Sequence, residues 1–532
     1  MASNSRTFLF SDAARREYFF VAIAIAPVLL TAYQTMTLYD VTGDIFRKAI
    51  QADTYTMTWV TVWTAESMLF GLIGGLVFSA RIGSRNTIIA GLALFALGSL
   101  LSGMATDLTT LTIGRIVLNF GKGMVIAFTR SLLYSQFGRA LMVAVAYYAV
   151  VCYATRPATP LITAYVNEYL GWRWIHWVDI PLCMLGMALT WRYIRKDPPP
   201  PKRDASAPKP DGVIFLLLGL WAAIAILLVN WQRKWGATSN EFVLFASLST
   251  ILPIIILWRF GRGASVAERL RRLSRVRTYL LSFGVRVVLL LHLSGVLGLL
   301  AAFLTDLHEY PRATAGLIMA AATPGMAISS ILCAVFQTRR TRQLWLVSGV
   351  VTSTLATWLL AGANDFTSKE HLMLLVFVWG LAVGLLPMPM LLNEVEGLAS
   401  RDKPYAVTVA LAIFFVPLLT LPTMASVWTA DWRARAQDAQ RMTVVDDRPE
   451  FANISTRIAD YYQRVGIQGE EVSDLTGEMV ATRVEIDSVV IGYQQAMRMV
   501  ALMIGGIGIV LGLMLRTPYQ EQPSTRLILP QT

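Results

Sequence analysis

The chain has 532 residues, of which 55% are hydrophobic and 15% charged, and its formal net charge is +12. Soluble domains average about 25% charged residues, so this composition excludes an ordinary globular protein and points to a chain that crosses a membrane repeatedly. The positive balance does not mark a nucleic-acid binder, because Lys and Arg gather in short connections between apolar runs, where they set membrane orientation.

The opening "MASNSRTFLFSDAARREYFF" lacks the basic-then-apolar build and small-residue cleavage site of a removable signal peptide, so the first apolar run is expected to be retained. Runs of about the twenty residues that a bilayer requires then recur along the chain. Their centres fall near Ala26, Ser67, Phe95, Met124, Ala149, Leu185, Ala222, Leu252, Leu290, Ala322, Thr354, Trp379, Phe414 and Ile507. The expected fold is an all-α polytopic membrane protein with about fourteen transmembrane helices.

Orientation follows from the basic connections "SARIGSRN", "RYIRKDPPPPKRDASAPKP", "RFGRGASVAERLRRLSRVR", "QTRRTRQ" and "SRDKP". The alternate connections "TDL", "TDLHEYPR" and "ANDFTSKE" are mixed or acidic. This asymmetry places both termini in the cytoplasm. The Pro-rich stretch 196–211 is a semi-rigid linker that separates a six-helix lobe, 1–195, from two additional central helices, 212–258. A basic cytoplasmic loop, 259–278, then precedes a second six-helix lobe, 279–532.

One segment is long and polar. Residues 428–494 carry twelve Asp/Glu against seven Arg, and their apolar residues recur at helical spacing with few Gly or Pro. They read as an extracytoplasmic helical hairpin whose second helix runs into the last span. The three cysteines, Cys152, Cys183 and Cys333, all lie in apolar runs and form no disulfide or metal-ligand spacing. No metal and no cofactor is expected.

Three motifs lie early in the chain: "GGLVFSARIGSRN" after the second run, "GRIVLNFGKGMV" opening the fourth and "GWRWIHWVDIP" opening the sixth. Together they resemble the major facilitator superfamily, specifically its fourteen-span drug:proton antiporter branch typified by EmrB and QacA. The resemblance covers about the first 195 residues. It resumes at "FLTDLHEYPRATAGLIMAAATPG" and again at "EMVATRVEIDSVVIGYQQAMRMVALM". It implies a gating motif built from Gly75, Arg81, Gly83 and Arg85, with Pro160 in the fifth span. Some positions depart from the pattern. The loop's usual acid is Ala80, the usual Gln after Arg115 is Leu118, and the closing glycine pair after Pro160 is Thr163 and Ala164. Arg156 has no counterpart.

Ionisable residues inside apolar runs are costly and therefore candidates for function. Glu66 in the second run is either a partner for a neighbouring helix's arginine or a protonatable carboxylate. Asp40, in "TLYDVTGDIF", stands where the family carries an acid, or else is a helix-end cap. The family match gives Arg115 a role in proton coupling beside these two acids. Lys122 is too deep to reach the interface easily, whereas Arg130, near the run's end, reads as an anchor. Asp179 reads as a structural cap.

Arg286 and His292 are six residues apart on different faces, so one site using both is not expected. His292 is either a hydrogen-bonded interior histidine or a relay whose reference pKa suits proton transfer. Trp59, Trp63, Met68 and Met124 suit a promiscuous pocket, or simple packing against lipid and helices. Arg156, beside Pro157, pairs on the simpler reading with Glu66 or Asp40, and on the sharper one recognises an anionic substrate group together with Lys122. The substrate-contact candidates are thus Arg156, Lys122, Trp63, Met124 and His292.

No ATP-binding loop of the Walker type is present. The expected function is therefore secondary active transport, as proton-coupled efflux of amphipathic small molecules across a bacterial inner membrane. The partners are a small substrate, protons and membrane lipids, and the resemblance leaves room for a periplasmic adaptor (membrane-fusion) protein. An importer or fatty-acid/lipid exporter on the same fold, and a non-transporting membrane sensor, are the alternatives. An enzyme is not expected, since there is no metal cluster and no serine nucleophile elbow.

Overall fold

The computed structural model describes residues 12–137, 141–194, 212–236, 238–262, 277–338, 340–395, 429–438, 449–465, 467 and 470–516, and no strand occurs among them. Among the described residues, eight helices are long and apolar enough to cross a membrane, and three shorter apolar stretches, Tyr18–Ala32, Leu216–Trp231 and Asn240–Ile256, accompany them. Each centre read from the sequence falls in a helix except Phe414, which lies outside the described residues.

The front group is α1 (Asp12–Ala49), α2 (Thr54–Ile82), α3 (Ser84–Gly103), α4 (Leu108–Phe137), α5 (Leu141–Ala149), α6 (Thr159–Leu170), α7 (Trp174–Trp177) and α8 (Asp179–Tyr193). Here α4 packs closely on α2 and α3, and α8 on α1 and α3. A Cβ at Gly121 would meet the α3 backbone at Gly91 and Phe95, so small residues are what let these helices approach. The turn from α2 to α3 is a single residue, Gly83, at φ 84°, a conformation glycine adopts without strain. At the opposite end Asp107 caps α4. Its Oδ1 accepts from the Thr110 N–H at 2.9 Å, and that bond holds the carboxyl below the usual carboxylate range.

Residues 212–262 form a central pair, α9 (Gly212–Trp235) and α10 (Asn240–Arg262), tied together where Trp221 Nε1 donates to the Ser249 carbonyl at 3.0 Å. α9 packs on α2.

The rear group comprises α11 (Arg277–Leu290), α12 (Leu297–Asp306), α13 (Arg312–Ala320), α14 (Ala322–Phe336), α15 (Arg342–Leu360), α16 (Lys369–Val383), α17 (Pro387–Val395), α18 (Pro449–Arg464) and α19 (Glu470–Arg516). α19 is one helix of 47 residues, so the polar segment runs into the last apolar stretch without a break. Its polar half is fastened to the turns of the rear group. Arg483 Nη1 meets Asp365 at 2.7 Å, the Tyr493 hydroxyl donates to Asp306 at 2.7 Å, and Gln494 donates to the Ala363 carbonyl at 3.0 Å.

Two spans carry π-helical turns that the sequence reading did not anticipate. Val150–Ala154, followed by a 3-10 turn at Arg156–Ala158, joins α5 to α6, and Leu291–Val296 joins α11 to α12. Such turns insert a residue into the helical register and re-aim every side chain beyond them.

Candidate functional site

Front and rear groups meet along the seam of α5 and α6 against α13 and α14. In the half nearer Asp107, α13 presses on the kink at Pro160, where a Cβ on Gly316 would lie 2.6 Å from Leu161 Cα and 3.0 Å from Pro160 C. Only a glycine permits that approach.

In the half nearer Gly83, the groups are joined by charge. Arg130 of α4 grips Glu394 of α17 with two contacts, Nη1 to Oε2 at 2.9 Å and Nη2 to Oε1 at 2.5 Å. Arg286 of α11 donates to the same Oε2. Both side chains of the Arg130–Glu394 pair are 1% exposed. The two-pronged geometry is the strongest that a guanidinium and a carboxylate can adopt. Tyr148 stands 5.9 Å from the Arg130 guanidinium and 6.0 Å, edge-on, from Tyr153. Tyr153 and Cys152, both buried on the π-turn, lie within electrostatic range of Arg130, as does Arg156 of Cys152.

This corrects the reading of Arg130 as an interfacial anchor. α4 continues past it to Phe137, so Arg130 lies inside the bundle and its charge is met across the seam. Glu394 escaped the sequence reading because it ends the apolar run "GLLPMPMLLNEVEG", where an acid looks like loop. An unmatched deep arginine at the same depth of another span was the signal that could have found it.

The remaining candidates are spread over separate places. Arg115, Asn119 and Lys122 lie buried on α4, with the Arg115 guanidinium 5.9 Å from the Phe46 ring and His176 stacked on that ring's system at 4.9 Å. Lys122 lies in electrostatic range of Asp179. Asp179 makes no capping hydrogen bond. It opens α8 with a buried Oδ2 that has no hydrogen-bond partner, which corrects its reading as a cap. His292, on the second π-turn, faces Thr357 Oγ1 at 3.5 Å and the Trp379 ring at 5.7 Å, away from Arg286.

Glu66 pairs with neither Arg156 nor any other described cation. Its carboxylate lies against Gly219 of α9, and its Oε1 is buried without a hydrogen-bond partner. α1 continues through Asp40 to Ala49, so Asp40 is not a helix-end cap, and its side chain lies outside the described residues. Met124 is buried, whereas Trp63 is exposed on α2. In the gating motif Gly75 is buried and Arg81 exposed. Arg85 donates to the Ile194 carbonyl at 3.2 Å with its guanidinium 4.6 Å from the Trp191 ring.

The family profile of the Major Facilitator Superfamily matches residues 18–416. The chain belongs to this superfamily. It is 24% identical over 238 residues to the fatty acid resistance protein FarB of Neisseria gonorrhoeae, covering 44% of this chain and 46% of FarB. It is 27% identical over 257 residues to the methylenomycin A resistance protein of Streptomyces coelicolor, covering 45% and 52%. Multidrug resistance protein 3 of Bacillus subtilis matches at 22% over 342 residues, covering 60% and 63%. The matches thus span about half of these relatives' length. Among solved structures, an auto-inhibited peptide transporter of the POT family superposes with TM-score 0.56 at 13% identity, covering 95% of this chain and 98% of that one. A bacterial homologue of the human lysosomal transporter Spinster, inward-facing and unoccupied, superposes with TM-score 0.54 at 12% identity, covering 95% and 99%. These likenesses show the fold.

Proposed function

We propose that this chain is a secondary active transporter that exports amphipathic small molecules across a bacterial inner membrane in exchange for protons. The observation that carries the proposal is the buried Arg130–Glu394–Arg286 cluster, a set of charges that joins front and rear groups at a seam where an alternating-access carrier must part. Parting the groups must break three contacts to one carboxylate at once, so Glu394 is where the join is held from both sides. In this reading residues 1–195 and 279–532 are the two moving lobes, with the linker 196–211, the pair 212–258 and the basic loop 259–278 between them. Both termini face the cytoplasm, and 428–494 faces the other side, where an adaptor protein would dock.

Within that scheme Asp40, Glu66 and Arg115 take part in proton coupling, and Arg156, Lys122, Trp63, Met124 and His292 contact substrate. The relatives named for resistance to antibiotics and to fatty acids support export as the direction. A second reading, export of anionic amphiphiles, is favoured by the burial of Arg115, Lys122, Arg130 and Arg156 in the front group.

The test is counterflow in proteoliposomes. An imposed pH gradient should drive accumulation of a lipophilic dye or a fatty acid, with protons moving the other way, and Glu394→Gln should abolish the response to the gradient. Transport indifferent to pH in both proteins would overturn proton coupling, and the preferred probe decides between the two substrate readings.

A further inference from the structure

The two central helices, α9 and α10, have no place in a scheme of two six-helix lobes, and of the candidate residues only Glu66 has been placed against them. They are nonetheless docked. α10 is bound to α9 through Trp221 and Ser249, and α9 to α2 through the edge-on pair Trp59–Trp231 at 5.8 Å and the contact of Glu66 with Gly219.

The second contact is chemically unusual. A side chain on residue 219 would collide with the Glu66 carboxylate, so the absent Cβ is the notch in which that carboxylate sits. Oε1 is buried with no hydrogen-bond partner, and no charged group among the described residues lies close enough to act on it. On the elements packed against α2 the described charged side chains are engaged elsewhere. On α4, Arg115 faces Phe46, Lys122 faces Asp179 and Arg130 faces Glu394; on α3, Arg85 faces Trp191; on α9, Lys234 faces Trp231. An ionised carboxylate in such a place loses its hydration and gains nothing in return, whereas a neutral carboxyl tolerates it.

We propose that Glu66 and Gly219 form a proton-dependent joint that fastens the central pair to α2. The protonated carboxyl seats in the glycine notch. Ionisation makes that seat unfavourable, drives the carboxylate out of the notch and loosens α9 from α2. The joint's part in the transport cycle, though not the joint itself, rests on the proposal that Glu66 exchanges protons during transport: through it the central pair senses the protonation state of α2.

Spin labels at Phe70→Cys on α2 and Leu216→Cys on α9, both exposed positions, report the joint in the full-length protein in lipid nanodiscs. The three native cysteines are buried and slow to label. The distance should be short at acidic pH and shift longer at alkaline pH. Glu66→Gln, which cannot ionise, should stay short throughout. Gly219→Leu, which fills the notch, should stay long, and Gly219→Ala should shift the transition to more acidic pH if Gly219→Leu fails to fold. A distance that does not respond to pH, or a response that survives in Glu66→Gln, overturns the joint. Gradient-driven flux lost in Glu66→Gln alongside a distance indifferent to pH also overturns it, while leaving the transport proposal intact. A pH-dependent distance with flux unchanged in Glu66→Gln upholds the joint and removes Glu66 from coupling.

Discussion

Glu394 and Glu66 are the same functional group in opposite circumstances. Glu394 is saturated: two arginines from two different helices supply three contacts to its two oxygens. Glu66 is bare, with one oxygen partnerless and the other in a glycine notch. The difference shows that depth alone does not decide what a buried acid does. A saturated carboxylate fixes the positions of the helices that saturate it, whereas a bare one contributes only through its own protonation. Membrane burial makes both states consequential, because neither carboxylate can fall back on water.

The largest effect that separates the two is on stability. Glu394→Gln leaves two buried arginines facing a neutral amide and should cost about 3–5 kcal/mol, whereas Glu66→Gln breaks no ion pair and should leave the melting temperature in lipid nanodiscs unchanged at neutral pH. Equal losses in the two variants would erase the distinction. Next in size is the other half of the seam. Gly316→Ala places a methyl against the backbone of Leu161 and should cost about 1–3 kcal/mol, visible as a lower melting temperature in lipid nanodiscs.

At the polar end of α19 the ionic contacts are half-exposed, so their weight should be slight. Arg483→Gln removes the contact to Asp365 and should cost about 1 kcal/mol or less, with proteolysis of 449–465 as the readout. The smallest effect is a pH dependence. His308, in the turn after α12, is held below its usual pKa by burial against Phe303 and Tyr310, with Asn364 and Asp365 opposing. The folded chain therefore binds its proton less readily than the unfolded one. Stability is full above the ordinary imidazole range and declines as pH falls through about 6.5. His308→Gln should flatten that part of the melting profile and leave the rest alone.

The spans were legible because a run of about twenty apolar residues has few other destinies in a protein of this composition. The helix that runs into the last apolar stretch was legible too, from the 3–4 spacing in "DLTGEMVATRVEIDSVV". The π-turns were not. "VVCYA" and "LHLSGV" contain nothing that distinguishes a widened turn from an ordinary one, since the extra residue is accommodated by packing from α14 and α19. The deep arginines could be recognised as expensive, but a partner 264 positions away, across the seam from Arg130, leaves no trace in local spacing. Glu66 was singled out from its chemistry, while its neighbour Gly219 was one small residue in an apolar run, legible only once the helices were side by side.

The unbroken α19 turns the rear group into a lever. At 47 residues it is about 70 Å long, and the hydrocarbon layer occupies only about 30 Å of that. Because Arg483, Tyr493 and Gln494 pin it to the turns of the rear group, it must swing with them as a rigid boom. A rocking of about 10° at the seam, on an overhang of roughly 40 Å, would sweep its polar tip through roughly 7 Å. Motion too small to resolve at Glu394 would thus be broadcast as a displacement that anything resting on the tip could feel.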